Sequence, residues 1–148
     1  MLRVRISVGI GDILLELDGN FKCFLGLLVM ILALPWLVLY PESIGLHSGE
    51  KTRVKISSYE KEGYYVSFTD KPNQIFKLTQ DLIGSTMLCT AVKLGGRNLY
   101  TIEHLLSSMA GCGLSYIHIE VDGKEIPLLD GSAIQWVKDF EEVGIKKA

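Results

Sequence analysis

Short runs in which apolar and polar residues alternate recur along the chain and predict β-strands. The first run covers residues 2–8, and the clearest later runs lie at 52–57, 64–68 and 116–121. Because successive side chains of a strand point to opposite faces of a sheet, each run can bury one face and expose the other. The pattern therefore predicts a sheet that is covered on one side.

Weaker signals add two strands and the turns between strands. A short strand is predicted near residues 75–78, after a turn at 70–73, and a longer one over 87–94, before a turn at 95–98. Glycine, proline, asparagine and aspartate cluster at these turns because they tolerate or favour the backbone angles that turns require. The dipeptide DG at 122–123 is a hairpin signal after the last alternating run.

Two stretches of the chain predict α-helices. Thr101 is a suitable N-cap for the first helix, and Gly113 is a suitable residue to follow its end. Ser132 and Gln135 have the spacing of a capping box at the start of the second helix. Two helices among several strands predict an α+β domain over residues 42–148.

Residues 1–41 form a leader, by which we mean the segment before this domain. Within the leader, residues 23–40 are an uncharged, largely apolar run of 18 residues. Lys22 precedes the run and Trp36 lies near its far end like an interfacial anchor, which favours a short membrane-spanning segment. The alternative is a buried strand–turn–strand or a core helix broken at Pro35. A cleaved signal peptide fits less well, because no cleavage motif of small residues follows.

The overall charge and the cysteines exclude some classes of protein. The 148-residue chain has a formal net charge of −2 and a mean hydropathy of +0.27. This charge argues against an electrostatic nucleic-acid binder, which would show a basic face. Cys23, Cys89 and Cys112 are odd in number and lack C-x-x-C spacing, so they indicate neither a disulfide framework nor a thiolate zinc site. A reducing compartment is the default expectation.

Candidate chemistry starts with Glu103 and His104, which open the first predicted helix. An adjacent carboxylate and imidazole can supply a general base and a metal ligand side by side. The positive end of the helix dipole favours an ionised Glu103 and a neutral His104, the form that binds zinc. Earlier in the chain, a glycine-flanked turn can aim His47 into a cleft. On the residues alone, a solvated surface pair and an ordinary turn histidine stay open as alternatives.

The sequence offers few residues with which His104 could complete a zinc site. A catalytic zinc ion takes about three protein ligands and a water. Ser107 and Ser108, about one turn further along the helix, are poor zinc ligands, and Cys112 lies roughly 12 Å further along the axis. His118 is predicted to lie on the solvent-facing side of its strand. Further ligands are therefore expected from elsewhere.

Four sequence motifs together resemble one enzyme family. They are residues 45–50 (GLHSGE), 85–90 (STMLCT), 101–113 (TIEHLLSSMAGCG) and 125–133 (EIPLLDGSA). In this order and approximate spacing they are similar to UDP-3-O-acyl-N-acetylglucosamine deacetylase, a zinc amidase of lipid A biosynthesis. The resemblance implies an α+β domain in which a β-sheet is layered against two α-helices. It also implies a second domain of similar build, with the active site between the two.

The resemblance implies roles for individual residues. His104 is similar to the family's first zinc ligand, and Glu103 is similar to its general base, which activates water for attack on the acetamide carbonyl. His47 matches the active-site histidine of the GLHSG motif. The residues that match the segment edging the substrate cleft are Met87, Cys89 and Thr90.

The resemblance further implies a zinc cofactor and the substrate UDP-3-O-acyl-N-acetylglucosamine. Because the family takes its other zinc ligands from the second domain, we expect an N-terminal half that is inactive alone and has a separately encoded second domain as its partner. The expected location is the cytoplasm of a Gram-negative-type bacterium, with inner-membrane association through residues 23–40. No nucleic-acid partner is expected. The alternatives are a membrane-tethered, non-catalytic binding or scaffold protein and a gene remnant that retains the half-fold.

Overall fold

The chain divides into two compact units, Met1–Leu37 and Val38–Ala148. The structure is a computed structural model, and it describes residues 2–8, 11–17 and 38–143. The four motifs that carry the family resemblance all lie in the second unit, which therefore contains every candidate site residue.

The first unit contains a β-hairpin. Strand β1 (Leu2–Val8) pairs antiparallel with β2 (Gly11–Leu17), so the alternation at the start of the chain corresponds to a strand, as predicted. The apolar run at 23–40 lies outside the described residues, except for its last three. In the portion of the chain that the structure describes, no helix is long and apolar enough to cross a membrane.

The described part of the second unit consists of short strands, two α-helices and one 3-10 turn. In chain order they are β3 (Val38–Leu39), β4 (Glu42–Ile44), β5 (Lys51–Ser58), β6 (Gly63–Phe68), β7 (Lys71–Lys77), the 3-10 turn Gln80–Leu82, β8 (Ile83–Ser85), β9 (Ala91–Leu94), β10 (Arg97–Leu99), α1 (Glu103–Gly111), β11 (Tyr116–Asp122) and α2 (Ile134–Glu142). The strands β8, β9 and β10 form a small sheet of their own.

The main sheet has the strand order β3-β5-β11-β6-β7, with β4 also paired to β5. Its central strand, β11, runs antiparallel to β5 and parallel to β6. Ile119 lies opposite Ile56 on one side and Val66 on the other, and all three side chains are buried. Residues 38–41, which the sequence assigned to the leader, lie along this sheet, and the Pro41 carbonyl accepts a hydrogen bond from the backbone of β5.

Both helices contribute to one hydrophobic core with the main sheet. Leu105 and Met109 of α1 and Trp136 and Phe140 of α2 are fully buried in the same cluster as Ile119. Burial of one such side chain contributes roughly 1.5–3 kcal/mol, so these four residues are a large part of what holds the helices on the sheet. The predicted α+β class, with a sheet layered against two helices, is confirmed.

Two strands differ from their predicted bounds. Strand β7 begins at Lys71 and includes Pro72, because β7 is an edge strand, where a residue without an N–H breaks no ladder hydrogen bond. The strand predicted over 87–94 covers only Ala91–Leu94. Leu88 has a φ of 67°, a left-handed angle that a strand cannot contain, and Met87 is 82% exposed.

Two turn signals have a different outcome from the one predicted. The DG dipeptide does not lead into a hairpin, because both edges of β11 are already occupied by β5 and β6. The chain instead continues to Glu125, which forms an isolated parallel bridge with Tyr100. The predicted turn at 95–98 is shorter, since Arg97 already belongs to β10.

The start of α1 is built differently from the prediction, whereas its end agrees with it. Ile102 is the N-cap, and no side chain caps the helix. Thr101 has a φ of 61°, and its hydroxyl donates to the Glu125 carboxylate at 2.8 Å. Gly113, with a φ of 70°, follows the end of the helix, as predicted.

The start of α2 lacks the reciprocal bonds of a capping box. The Ser132 hydroxyl accepts a hydrogen bond from the Ile134 N–H at 3.1 Å, but the N-cap is Ala133. Gln135 donates to Asp139 one turn later at 2.8 Å and does not reach back to the cap. Residues four apart are neighbours on a helix surface, so this Gln–Asp pair stabilises the helix locally.

Candidate active site

The loop that carries His47 is a compact turn after β4. The Gly45 N–H donates to the Glu50 carbonyl at 2.9 Å, and the Gly49 N–H donates to the Gly45 carbonyl at 3.0 Å. Gly49 has a φ of 66°, which glycine adopts without the steric cost that a side chain would bring. These bonds close the loop and leave the His47 side chain exposed.

The buried carboxylate of Glu125 accepts hydrogen bonds from the backbone of this loop. The His47 N–H donates to Oε1 at 3.0 Å and the Ser48 N–H donates to Oε2 at 2.8 Å. Glu125 is only 1% exposed. Burial alone raises the pKa of Glu125, but hydrogen bonds from His47, Ser48 and Thr101 outweigh burial and lower that pKa below the ordinary value.

Sequence reasoning gave Glu125 no functional role, although Glu125 is the first residue of the fourth motif. The Glu125 carboxylate accepts hydrogen bonds from three residues that are distant along the chain: His47, Ser48 and Thr101, which lie 78, 77 and 24 positions away. Next to Lys124, a glutamate at a turn resembles an ordinary surface residue. Only the tertiary fold brings the donors around its carboxylate.

Glu103 occupies the first turn of α1 and is held there by Thr90. The Thr90 N–H donates to Glu103 Oε2 at 3.0 Å, and the Ile102 N–H donates to the Thr90 carbonyl at 3.4 Å. Glu103 is half-buried. The segment before β9 and the start of α1 are thus joined at the carboxylate that the sequence nominates as a base.

A cleft of about 430 Å³ brings together several of the predicted site residues. His47, Met87 and Cys89 line it, and Leu88, Lys124 and Glu125 complete much of its wall. Thr90 follows Cys89 directly and links this wall to Glu103 through the hydrogen bond above. Glu103 and His104 are not among the cleft-lining residues, so the structure places the candidate base and metal ligand beside this cleft and not in its wall.

His104 can serve as one ligand of a zinc ion, but not as the whole ligand set. It lies next to Glu103 on the first turn of α1 and is half-buried, and its imidazole makes no hydrogen bond within the described residues. Among residues 38–143, no group of three or more His, Cys, Asp or Glu side chains could hold a metal ion. The donors described here therefore fit one position of a catalytic zinc set, which takes about three protein ligands.

His118 lies on the face of β11 opposite the buried residues Ile117 and Ile119, as the sequence predicted, but its side chain is not fully exposed. Its ring is half-buried, with Nε2 at 2.8 Å from the Ser67 hydroxyl and its centroid 5.6 Å from that of the Tyr59 ring. Burial lowers the pKa of His118, Glu120 partly opposes that shift, and Lys55 adds to it. Two tyrosines lie on the same face: Tyr65 is the cross-strand neighbour of His118 on β6, and the Tyr59 ring packs against Tyr65 with the centroids 4.4 Å apart.

Comparison with known proteins decides the family. The family model described as LpxC, UDP-3-O-acyl N-acetylglycosamine deacetylase, matches residues 39–148. The chain belongs to this family. The match contains all four motifs, and it begins within β3 at the start of the second unit.

Curated relatives of the deacetylase family show how much of a full-length member the chain covers. Proteins named UDP-3-O-acyl-N-acetylglucosamine deacetylase include one of Trichormus variabilis, 41% identical over 104 residues, and one of Legionella pneumophila, 35% identical over 115 residues. A third, of Syntrophus aciditrophicus, is 36% identical over 107 residues. The alignments cover 69–76% of this chain but only 34–38% of the relatives. The chain therefore spans little more than a third of the length of these relatives.

Proposed function

We propose that the chain supplies the N-terminal half of a zinc-dependent deacetylase acting on UDP-3-O-acyl-N-acetylglucosamine. The observation that supports this most strongly is the hydrogen bond from the Thr90 N–H to Glu103 Oε2, beside His104 at the start of α1. Two of the family's motifs meet at this bond. A carboxylate held in place next to an imidazole that makes no hydrogen bond within the described residues suits a base and a metal ligand acting together.

In this proposal Glu103 transfers the proton of the attacking water. Its Oε2 is engaged by Thr90, whereas Oε1 makes no hydrogen bond within the described residues and is free to accept that proton. The water oxygen then bonds to the acetamide carbonyl carbon, and the carbon–nitrogen bond breaks. Glu103 returns the proton to the leaving amine, and the products are acetate and the free amino sugar. Fixing one carboxylate oxygen reduces the orientational cost of the transfer.

The remaining residues divide between metal and substrate. His104 would hold the zinc ion together with ligands from the family's second domain. When bound, zinc would polarise the carbonyl and make the attacking water more acidic. His47, with Met87 and Cys89, borders the cleft that we assign to substrate. The proposed location of the reaction is the cytoplasm of a Gram-negative-type bacterium.

An assay of acetate release tests the proposal directly. The purified full chain is mixed with zinc, UDP-3-O-acyl-N-acetylglucosamine and the C-terminal part of the Trichormus variabilis relative, supplied in trans. We expect acetate release that a chelator stops and that the Glu103→Gln variant lacks. If the two folded parts form a complex that binds the substrate without hydrolysing it, the proposal is wrong and a non-catalytic binding protein is indicated.

A further inference from the structure

We propose that Glu125 is a positioning residue that holds the His47 loop and the start of α1 in a fixed relation to each other. Its importance for the reaction rests on the proposed function. The structural role of Glu125 rests only on contacts within the second unit. The sequence of the motif that begins with Glu125 does not by itself indicate this role.

The carboxylate of Glu125 is shared among donors from two separate segments. Oε1 accepts from the His47 N–H at 3.0 Å and from the Thr101 hydroxyl at 2.8 Å, and Oε2 accepts from the Ser48 N–H at 2.8 Å. A buried carboxylate is tolerated only when hydrogen bonds replace its lost water, and donors to an ionised group form stronger bonds than donors to a neutral one. One side chain therefore ties the loop to the residue two positions before Glu103.

The backbone of Glu125 is also held in place. The Thr52 hydroxyl donates to the Glu125 carbonyl at 2.6 Å, and Tyr100 and Glu125 form a parallel bridge. Thr52 is itself buried on β5. The Glu125 backbone is thus anchored to the main sheet.

Two local features indicate that the loop and the helix start depend on this carboxylate. A Cβ at Gly45 would collide with Ser48 Oγ and Glu125 Oε2, so the loop can approach the carboxylate closely only with glycine there. Thr101 is β-branched and yet has a φ of 61°, a conformation that costs energy and persists only where its surroundings hold it. Its bond to Glu125 is one contact that does so.

The matched test compares Glu125→Gln with Glu50→Gln in the full chain. The glutamine amide would place an NH₂ group against donors that need an acceptor. The Glu50 side chain, by contrast, is exposed, and its one contact among the described residues is a surface ion pair with Lys124 at 3.6 Å. Amide hydrogen exchange is followed by NMR at His47 and Ser48 and along β5 and β11. We expect at least about tenfold faster exchange at both loop amides in Glu125→Gln, unchanged exchange in the strands, and no change in Glu50→Gln.

A pH titration of the unmodified chain gives a second test that needs no folded variant. The chemical shifts of the His47 and Ser48 amides should follow one carboxyl group with a midpoint below the ordinary glutamate pKa, because the folded state holds the ionised form. Loop amides that do not report such a titration would overturn the proposal, as would loop exchange in Glu125→Gln that rises only in step with the strands. Neither readout requires catalysis, so failure of the deacetylase assay would leave this result standing, and the reverse also holds.

Discussion

Glu103 Oε2 accepts a hydrogen bond of 3.0 Å from the backbone N–H of Thr90. This bond joins the segment that lines the candidate cleft to the first turn of α1. Because the donor is a backbone group, no substitution at Thr90 other than proline removes it. The orientation of Glu103 is therefore a property of the fold more than of the neighbouring side chains.

Replacing Glu103 by glutamine should abolish turnover and spare the metal. In the complex with a second domain, we expect Glu103→Gln to lower kcat by about 10²–10⁴, the usual contribution of a general base. Zinc content should stay the same, since Glu103 is not assigned as a ligand. The measurements are acetate release and metal analysis, with Glu142→Gln, an exposed carboxylate on α2, as the control. Full activity in Glu103→Gln would remove the assigned base.

Replacing His104 by alanine should weaken zinc binding. We expect the zinc dissociation constant of the same complex to rise at least about 100-fold, more than loss of a typical outer-shell partner causes. Competition with a chelator of known affinity measures the change. A variant that keeps its zinc affinity but loses turnover would show that His104 acts on the substrate instead.

Replacing His47 by alanine should affect turnover more than stability. The His47 side chain is exposed and lines the cleft, so its loss would remove the substrate contact that we propose and little packing. We expect kcat/KM of the complex to fall about tenfold, which is ~1.4 kcal/mol, and the free energy of unfolding to change by less than about 0.5 kcal/mol. A large fall in melting temperature with normal specific activity would identify His47 as structural.

The apolar run at 23–40 predicts membrane association. The 15 uncharged residues of this run that precede β3, residues 23–37, are shorter than a typical transmembrane helix and suit an interfacial or re-entrant segment. We expect the full chain to sediment with membranes and a variant that starts at Val38 to be released. The deletion ends there because residues 38–41 lie along the main sheet. Recovery of the full chain in the supernatant at high salt without detergent would contradict the prediction.

Sequence patterns predicted those parts of the fold that depend on which face of an element is buried. Val54 and Ile119 alternate with polar residues along the sequence, and both side chains are buried in the hydrophobic core. The strands that contain them, β5 and β11, have nearly the predicted bounds. The patterns failed where long-range contacts decide the local structure. Thr101 resembles an N-cap, yet its hydroxyl is taken by Glu125, a residue 24 positions away.

The candidate site was predictable to a similar degree. The family motifs nominated Glu103, His104 and His47 without any coordinates. They did not reveal that Glu125 supports the His47 loop, because its donors come together only when β4, β5 and α1 are in place. They also could not show that Met87 is far more exposed than a strand residue would be.

The last prediction concerns pH and His118. Burial lowers the pKa of His118 in the folded state, whereas in the unfolded chain it is about 6.5. The unfolded state therefore binds the proton more tightly, and the free energy of unfolding should fall as the pH drops through about 6.5. Thermal unfolding of the full chain at pH 7.5 and 5.5 measures this loss as a lower melting temperature at pH 5.5.

The His118→Gln variant isolates the contribution of the imidazole. The glutamine side chain can still bond to the Ser67 hydroxyl but does not titrate. We therefore expect a smaller difference in melting temperature between the two pH values in His118→Gln than in the unmodified chain, because the variant lacks the imidazole whose pKa burial lowers. An equal difference in the two proteins would mean that other groups carry the pH dependence and that proton binding to His118 does not differ between the folded and unfolded states.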